Sequence, residues 1–243
     1  MLRSVRRAAL GLAAAVAALT LAGTVSATPA LADNAYHPSE ADFADCPALP
    51  AGAVSGTWNC YVMTALDGTF QLNLMGAHLD QPLRVTVAQG RTLTGGTVAT
   101  WGGITGDPLP LVVGIAGTPF ETPDPKGWKV QLYGTGLVKP GAVLPYLFGV
   151  KARIIGAGLS DHCFIGNELE PVVVRPQLNW AIPAVFDGVG MLKVQADSLF
   201  AMPNALGCGD LAAELRVNAF VGLPAPATAD RLIARWAVRH RSY

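Results

Sequence analysis

Apolar and polar residues alternate with a period of two along much of this chain. Thr69-Phe70-Gln71-Leu72-Asn73-Leu74 places Phe70, Leu72 and Leu74 on one face. Leu83-Arg84-Val85-Thr86-Val87, Lys129-Val130-Gln131-Leu132-Tyr133 and Gly190-Met191-Leu192-Lys193-Val194-Gln195 repeat the pattern. Alternation of this kind marks half-buried strands. Asp67-Gly68, between runs 61–66 and 69–74, predicts a two-residue hairpin. The apolar runs 109–115, 150–155 and 171–174 read as buried or edge strands. The chain holds 27 Gly and 18 Pro, spaced too closely for long helices but well suited to short strands joined by turns. The pattern therefore predicts a mainly β fold, an antiparallel β-sandwich or barrel-like arrangement rather than an α/β sheet.

One short helix is predicted near 211–221. Asp210 supplies the cap, Leu211, Leu215 and residues 217–221 the apolar positions, and Gly222 and Pro224 the stop. Residues 231–241 fit two periods. Leu232, Ala234, Trp236 and Val238 alternate with arginine-rich positions as in a strand, while Arg231, Arg235 and Arg239 also stand at helical i, i+4 spacing. The strand fits better; the helix remains open.

The first 32 residues follow another logic. Arg3, Arg6 and Arg7 precede an uncharged, Ala-rich stretch over 8–23, and Ala30-Leu31-Ala32 supplies a small-residue cleavage site. This is the layout of a secretory signal peptide. The apolar run of about 16 residues falls short of the roughly 20 that span a bilayer. No stable membrane span is expected after cleavage. Arg6-Arg7 raises the twin-arginine route, but Ala8-Ala9-Leu10 lacks the bulky aromatic usual in that signal, and the ordinary unfolded-chain route fits better. The expected organisation is a signal peptide over 1–32, an extended segment over 33–57, and a β-rich domain over 58–243 with a sub-boundary near 156–160.

Four cysteines follow the leader: Cys46, Cys60, Cys163 and Cys208. An even number in an exported chain reads as two disulfides. Three pairings exist, of which Cys46–Cys60 with Cys163–Cys208 closes the shorter loops. A metal site is the rival, but there is no C-x-x-C pair, and His162 beside Cys163 would point to the opposite face of a strand.

Charge narrows the partners. Without its leader the chain has 14 basic and 17 acidic residues, and four of the basic ones, Arg231, Arg235, Arg239 and Arg241, crowd its end. The acidic remainder argues against nucleic acid, whose binders need clustered positive charge. Arg outnumbers Lys 12 to 5, as in GC-rich bacterial genomes.

Candidate chemistry is sparse. No G-x-S-x-G elbow, nucleotide loop or H-E-x-x-H motif is present. Ser160-Asp161-His162 has the residue types of a triad, but in consecutive positions, where a polar turn is the simpler account. Glu168 and Glu170 would share a strand face, and His78 with Asp80, or His37, could enter a metal site. Neither pattern predicts a catalytic, cofactor or metal residue. Trp58, Trp101, Trp128, Trp180 and Trp236 are scattered, as packing residues are.

Residues 162–166 (His-Cys-Phe-Ile-Gly), 200–209 (Phe-Ala-Met-Pro-Asn-Ala-Leu-Gly-Cys-Gly) and 222–227 (Gly-Leu-Pro-Ala-Pro-Ala) give the chain a resemblance to a group of exported actinobacterial proteins of unknown function. The resemblance covers roughly 150–243. It implies secretion and a disulfide-bonded fold, supports pairing Cys163 with Cys208, and implies no catalytic residue. The resulting expectation is a secreted, non-catalytic protein that binds or serves structurally at the cell envelope. Its partner would be an unknown envelope component or a small apolar ligand. A carrier of an apolar small molecule and a secreted hydrolase built from distant residues are the alternatives.

Overall fold

The computed structural model describes residues 39–142, 144–178, 185–186 and 192–243. The expected signal peptide, His37, Trp180 and Gly190-Met191 lie outside them. The described chain is mainly β, about 49% strand and 8% helix, in one antiparallel sheet that does not close. After a 3-10 turn at Glu40–Phe43 come β1 (Asn59–Leu72), β2 (Met75–His78), β3 (Leu83–Arg91), β4 (Thr97–Thr105), β5 (Leu109–Val113) and β6 (Thr122–Pro123). Then follow β7 (Lys129–Lys139), β8 (Leu147–Ile155), β9 (Phe164–Ile165), β10 (Val172–Val174), β11 (Gln177–Leu178), β12 (Val185–Phe186), β13 (Leu192–Leu199) and β14 (Ala205–Leu206). The helix α1 (Leu211–Val221) and the last strand β15 (Asp230–Ser242) complete the chain. The spine of the sheet runs β11-β13-β15-β1-β2-β5-β7-β8-β9-β14.

The long strand β1 organises this order. It pairs with β15 from Asn59↔Ser242 to Leu72↔Asp230. On its other side it pairs first with β3, Asn59↔Gln89 through Ala65↔Leu83, and then with β2, Thr69↔His78 through Leu72↔Met75. The change of partner falls at a bulge, where Leu66 is the extra residue between Ala65, opposite Trp236, and Asp67, opposite Arg235.

Asp67-Gly68 is therefore not the hairpin turn predicted from sequence; it belongs to the bulge inside one continuous strand. Arg235 Nε donates to Asp67 Oδ1 at 3.0 Å and to Oδ2 at 2.8 Å, which holds the acid in the sheet. Gly68 (φ +144°) is pressed against β15, where a Cβ would lie 2.1 Å from Ile233 O. The turn comes at Asn73-Leu74 instead. Asn73 takes φ +52°, a conformation that Asn tolerates, and Leu74 is left 52% exposed rather than sharing the face of Phe70 and Leu72.

The sheet doubles back so that β4 lies over β7. Three tryptophans exploit glycines as landing sites. A Cβ on Gly90 would sit 2.4 Å from the Trp58 ring, one on Gly134 1.9 Å from Trp101 Nε1, and one on Gly156 2.2 Å from Trp128. Indole rings occupy the space that side chains would fill, which is how glycine inside strands recovers packing. Trp101 also meets Phe148 edge-on at 5.9 Å, and Trp128 meets Phe220 of α1 at 5.1 Å. Between the layers Met63, Phe70, Val87, Leu132, Val150, Ile154, Phe200 and Trp236 share one core.

The helix α1 has the predicted bounds and cap: Asp210 accepts from Ala213 N at 2.7 Å, and Gly222 ends it at φ +83°. Its phase differs from expectation. Ala213, Val217 and Val221 form the buried i, i+4 stripe, whereas Leu211 and Leu215 are 70% and 60% exposed. Contacts to β14, described below, turn Glu214 and Asn218 toward the sheet and so fix this rotation.

Residues 231–241 lie in a strand, not a helix, with Leu232, Ala234, Trp236 and Val238 buried. The arginines do not guard an open edge, since β15 sits between β1 and β13. Two of them meet the N-terminal segment on the outer face. Arg239 and Arg241 lie over the Phe43 ring, 5.2 and 4.9 Å from its centre. Phe43 packs on Cys60 and Val62, and Asp42 and Asp45 accept from Arg84 at 3.0 and 3.1 Å. The segment after Ser39 is thus laid across the outer face of β1, β3 and β15 and is not simply extended.

Candidate functional site

Both disulfides are formed, Cys46–Cys60 and Cys163–Cys208, 14 and 45 residues apart, and no cysteine is free. By loop-closure entropy they contribute about 3 and about 4 kcal/mol. The first pins the N-terminal segment to β1. The second joins the residue before β9 to the second residue after β14, and a pocket opens beside it.

That pocket has a volume of about 190 Å³. Phe164, Pro203 and Leu206 give it apolar side chains, and His162, Asn167, Glu170 and Asn204 polar ones. The two walls are the segments that carry the resemblance stated above. Each is held independently of any ligand. Asn167 Oδ1 accepts from Leu169 N at 2.8 Å and Glu170 N at 2.9 Å, which shapes one rim. Gly207 N donates to Glu214 Oε1 at 2.8 Å, and Ala205 N to Asn218 Oδ1 at 2.7 Å, which fixes the other. Phe164 is braced by Tyr133, edge-on at 5.8 Å, and by Lys151, 4.9 Å from the ring centre.

The residue types of a triad do not converge here. Ser160 Oγ accepts from His162 N at 3.1 Å in a local turn. Asp161 turns to Arg153, and Glu168 to Lys151, whose ammonium holds the Glu168 carboxyl below its usual range. Glu168 and Glu170 do not face one another across a cleft; Glu170 alone lines the pocket with His162. His78 finds a partner other than Asp80: its Nε2 lies 2.8 Å from Glu121 Oε2. Gly117 N donates to the same oxygen at 2.7 Å, and this bond, with the imidazole, lowers the Glu121 pKa. No local signal links His78 to Glu121, 43 residues on. Among the described residues no group of three or more His, Cys, Asp or Glu is placed to hold a metal ion. No helix among them is long and apolar enough to cross a membrane.

Two further polar features escape sequence patterning. Asp230 is fully buried opposite Leu72, and neither carboxylate oxygen has a hydrogen-bond partner among the described residues. Burial raises its pKa to about 6, against the pull of the nearby Asn73 N–H. A second pocket of about 280 Å³ opens on the outer face of the sheet, lined by Thr64, Gln81, Pro82, Arg84, Thr105, Gly106 and Asp107.

Comparison with protein-family models, with curated proteins and with solved structures finds no match to the chain.

Proposed function

We propose that this chain is a secreted, non-catalytic binding protein of the cell envelope, related to the exported actinobacterial proteins that its C-terminal motifs resemble. The leader over 1–32 directs export, and the two disulfides suit an oxidising location. The stapled pocket is the binding face. One observation carries this reading: both walls are preorganised by the Cys163–Cys208 bridge and by side-chain bonds to backbone, which lowers the ordering cost of binding. Its lining offers no Ser, Thr or free Cys as a nucleophile, and its mix of apolar side chains with a few polar ones matches ligand-site anatomy. Its opening at the surface favours an envelope component over a fully enclosed apolar cargo.

The test is retention of the purified oxidised protein on insoluble envelope fractions of an actinobacterium. The wild-type chain is expected to sediment with a wall fraction, and Leu206→Asp, which places a charge on an exposed lining residue, to stay in solution. Failure of the wild type to bind any fraction, or undiminished retention of Leu206→Asp, overturns the proposal.

A further inference from the structure

The pocket on the outer face is built from one transverse row of the sheet. Thr64 on β1 pairs with Arg84 on β3, and Arg84 with Thr105 on β4, so the three side chains project from the same face. This is the face turned away from the main core, since their neighbours Met63, Ala65 and Val85 belong to that core. The connection before β3 supplies Gln81 and Pro82, and the one after β4 supplies Gly106 and Asp107.

Two polar atoms in this row are left over. Thr64 is 1% exposed and its hydroxyl has no partner among the described residues. Arg84 spends its terminal nitrogens on Asp42 and Asp45, and its buried Nε has no partner there either. Orphaned buried donors are costly and rare in native proteins, so two at one pocket call for a ligand or ordered water. The charge of the surroundings limits the ligand. Asp42 and Asp45 more than neutralise Arg84, and Asp107 adds a further carboxylate on the rim. A phosphate or carboxylate would meet net negative charge. A neutral molecule with vicinal hydroxyls would accept from Thr64, Arg84 Nε and Gln81, and donate to Asp107.

We infer that this pocket is a second binding site, distinct from the stapled pocket, and that it takes a neutral polyhydroxyl ligand, a sugar unit either free or at the end of a glycan. The N-terminal segment is part of the site, because Asp42 and Asp45 orient the guanidinium and Cys46–Cys60 pins the segment that bears them.

Calorimetric titration of the oxidised mature protein with a panel of neutral hexoses, pentoses and their linear oligomers tests this, with glucose 6-phosphate as the charged counterpart. At least one neutral sugar is expected to bind. The phosphorylated sugar should bind at least about tenfold more weakly than glucose, the scale of one lost or opposed polar interaction. Binding of monomers identifies a free sugar as the ligand; binding of oligomers alone identifies a glycan end. Thr64→Val should weaken binding about tenfold while leaving the melting temperature unchanged or raised, because it removes a hydroxyl without a protein partner. A purely structural role for Thr64 would move stability instead. Gln81→Ala, at an exposed position, should weaken binding severalfold without affecting the fold. Binding of no neutral sugar, preference for the phosphorylated sugar, or unchanged affinity in both variants overturns the inference. None of these results depends on the wall-binding assay.

Discussion

Asn218 stands in for a missing strand beside Ala205. Ala205 N donates to Asn218 Oδ1 at 2.7 Å, and Asn218 Nδ2 donates to Ala205 O at 3.2 Å. The side-chain amide thus satisfies both backbone groups at the last strand of the sheet, whose other side pairs with β9. An open edge invites pairing with another chain, and a helix that covers it removes the hazard.

Replacing Asn218 with Ala strands both backbone groups of Ala205 and should cost about 2 kcal/mol. Urea unfolding measures the loss, and light scattering the self-association of the exposed edge. An unchanged midpoint would mean that water replaces the amide at no cost.

Asp230 makes stability depend on pH in an unusual direction for an acid. Its pKa rises from 3.8 to about 6 on folding, so the native state holds the proton more tightly than the unfolded chain. Its contribution is neutral below about pH 4, and stability is lost as the pH climbs through about 6. Asp230→Asn should therefore raise stability at pH 7.5 by on the order of 2 kcal/mol and leave it nearly unchanged at pH 4. Melting curves of both proteins across this range check the sign. Parallel curves for the two would show that the carboxyl finds a partner when charged.

The contact of Trp101 with Gly134 should be intolerant of a single methyl group. Gly134→Ala places a Cβ 1.9 Å from Trp101 Nε1 and should cost about 1–3 kcal/mol, with a shift in tryptophan emission. Gly103→Ala, on the same strand as Trp101 and with nothing within 4 Å of the added Cβ, is the control and should fold as the parent does. Equal behaviour of the two would show that the indole moves aside freely.

The alternating runs marked β3, β7 and β15 because burial of every second residue leaves a local trace in the sequence, and the continuous apolar runs marked β5, β8 and β10. Cysteine number and spacing likewise pointed to both bridges. What failed were decisions made at a distance. Asp67-Gly68 has the composition of a turn, and only Arg235 and Ile233, more than 160 residues later, convert it into a bulge. Leu211 and Leu215 look like the buried face of α1 until Glu214 and Asn218 are given their backbone partners. The acids that position Arg84 come from a segment without periodicity. The outer-face pocket left no local trace because Thr64, Arg84 and Thr105 come from three separate strands. The stapled pocket falls on the two motifs quoted from the sequence, but their meeting at one surface is a tertiary fact.

The pairing of β1 with β15 sets the timing of assembly. Asn59 meets Ser242, so the strand at the heart of the sheet keeps one flank bare until a segment more than 180 residues later has been made. Contacts between residues so far apart in sequence form late and slowly. A nascent chain of this design stays unfinished while it emerges, with β1 paired on the side of β3 and β2 only. Loss of β15 alone would leave that flank of β1 bare along its whole length.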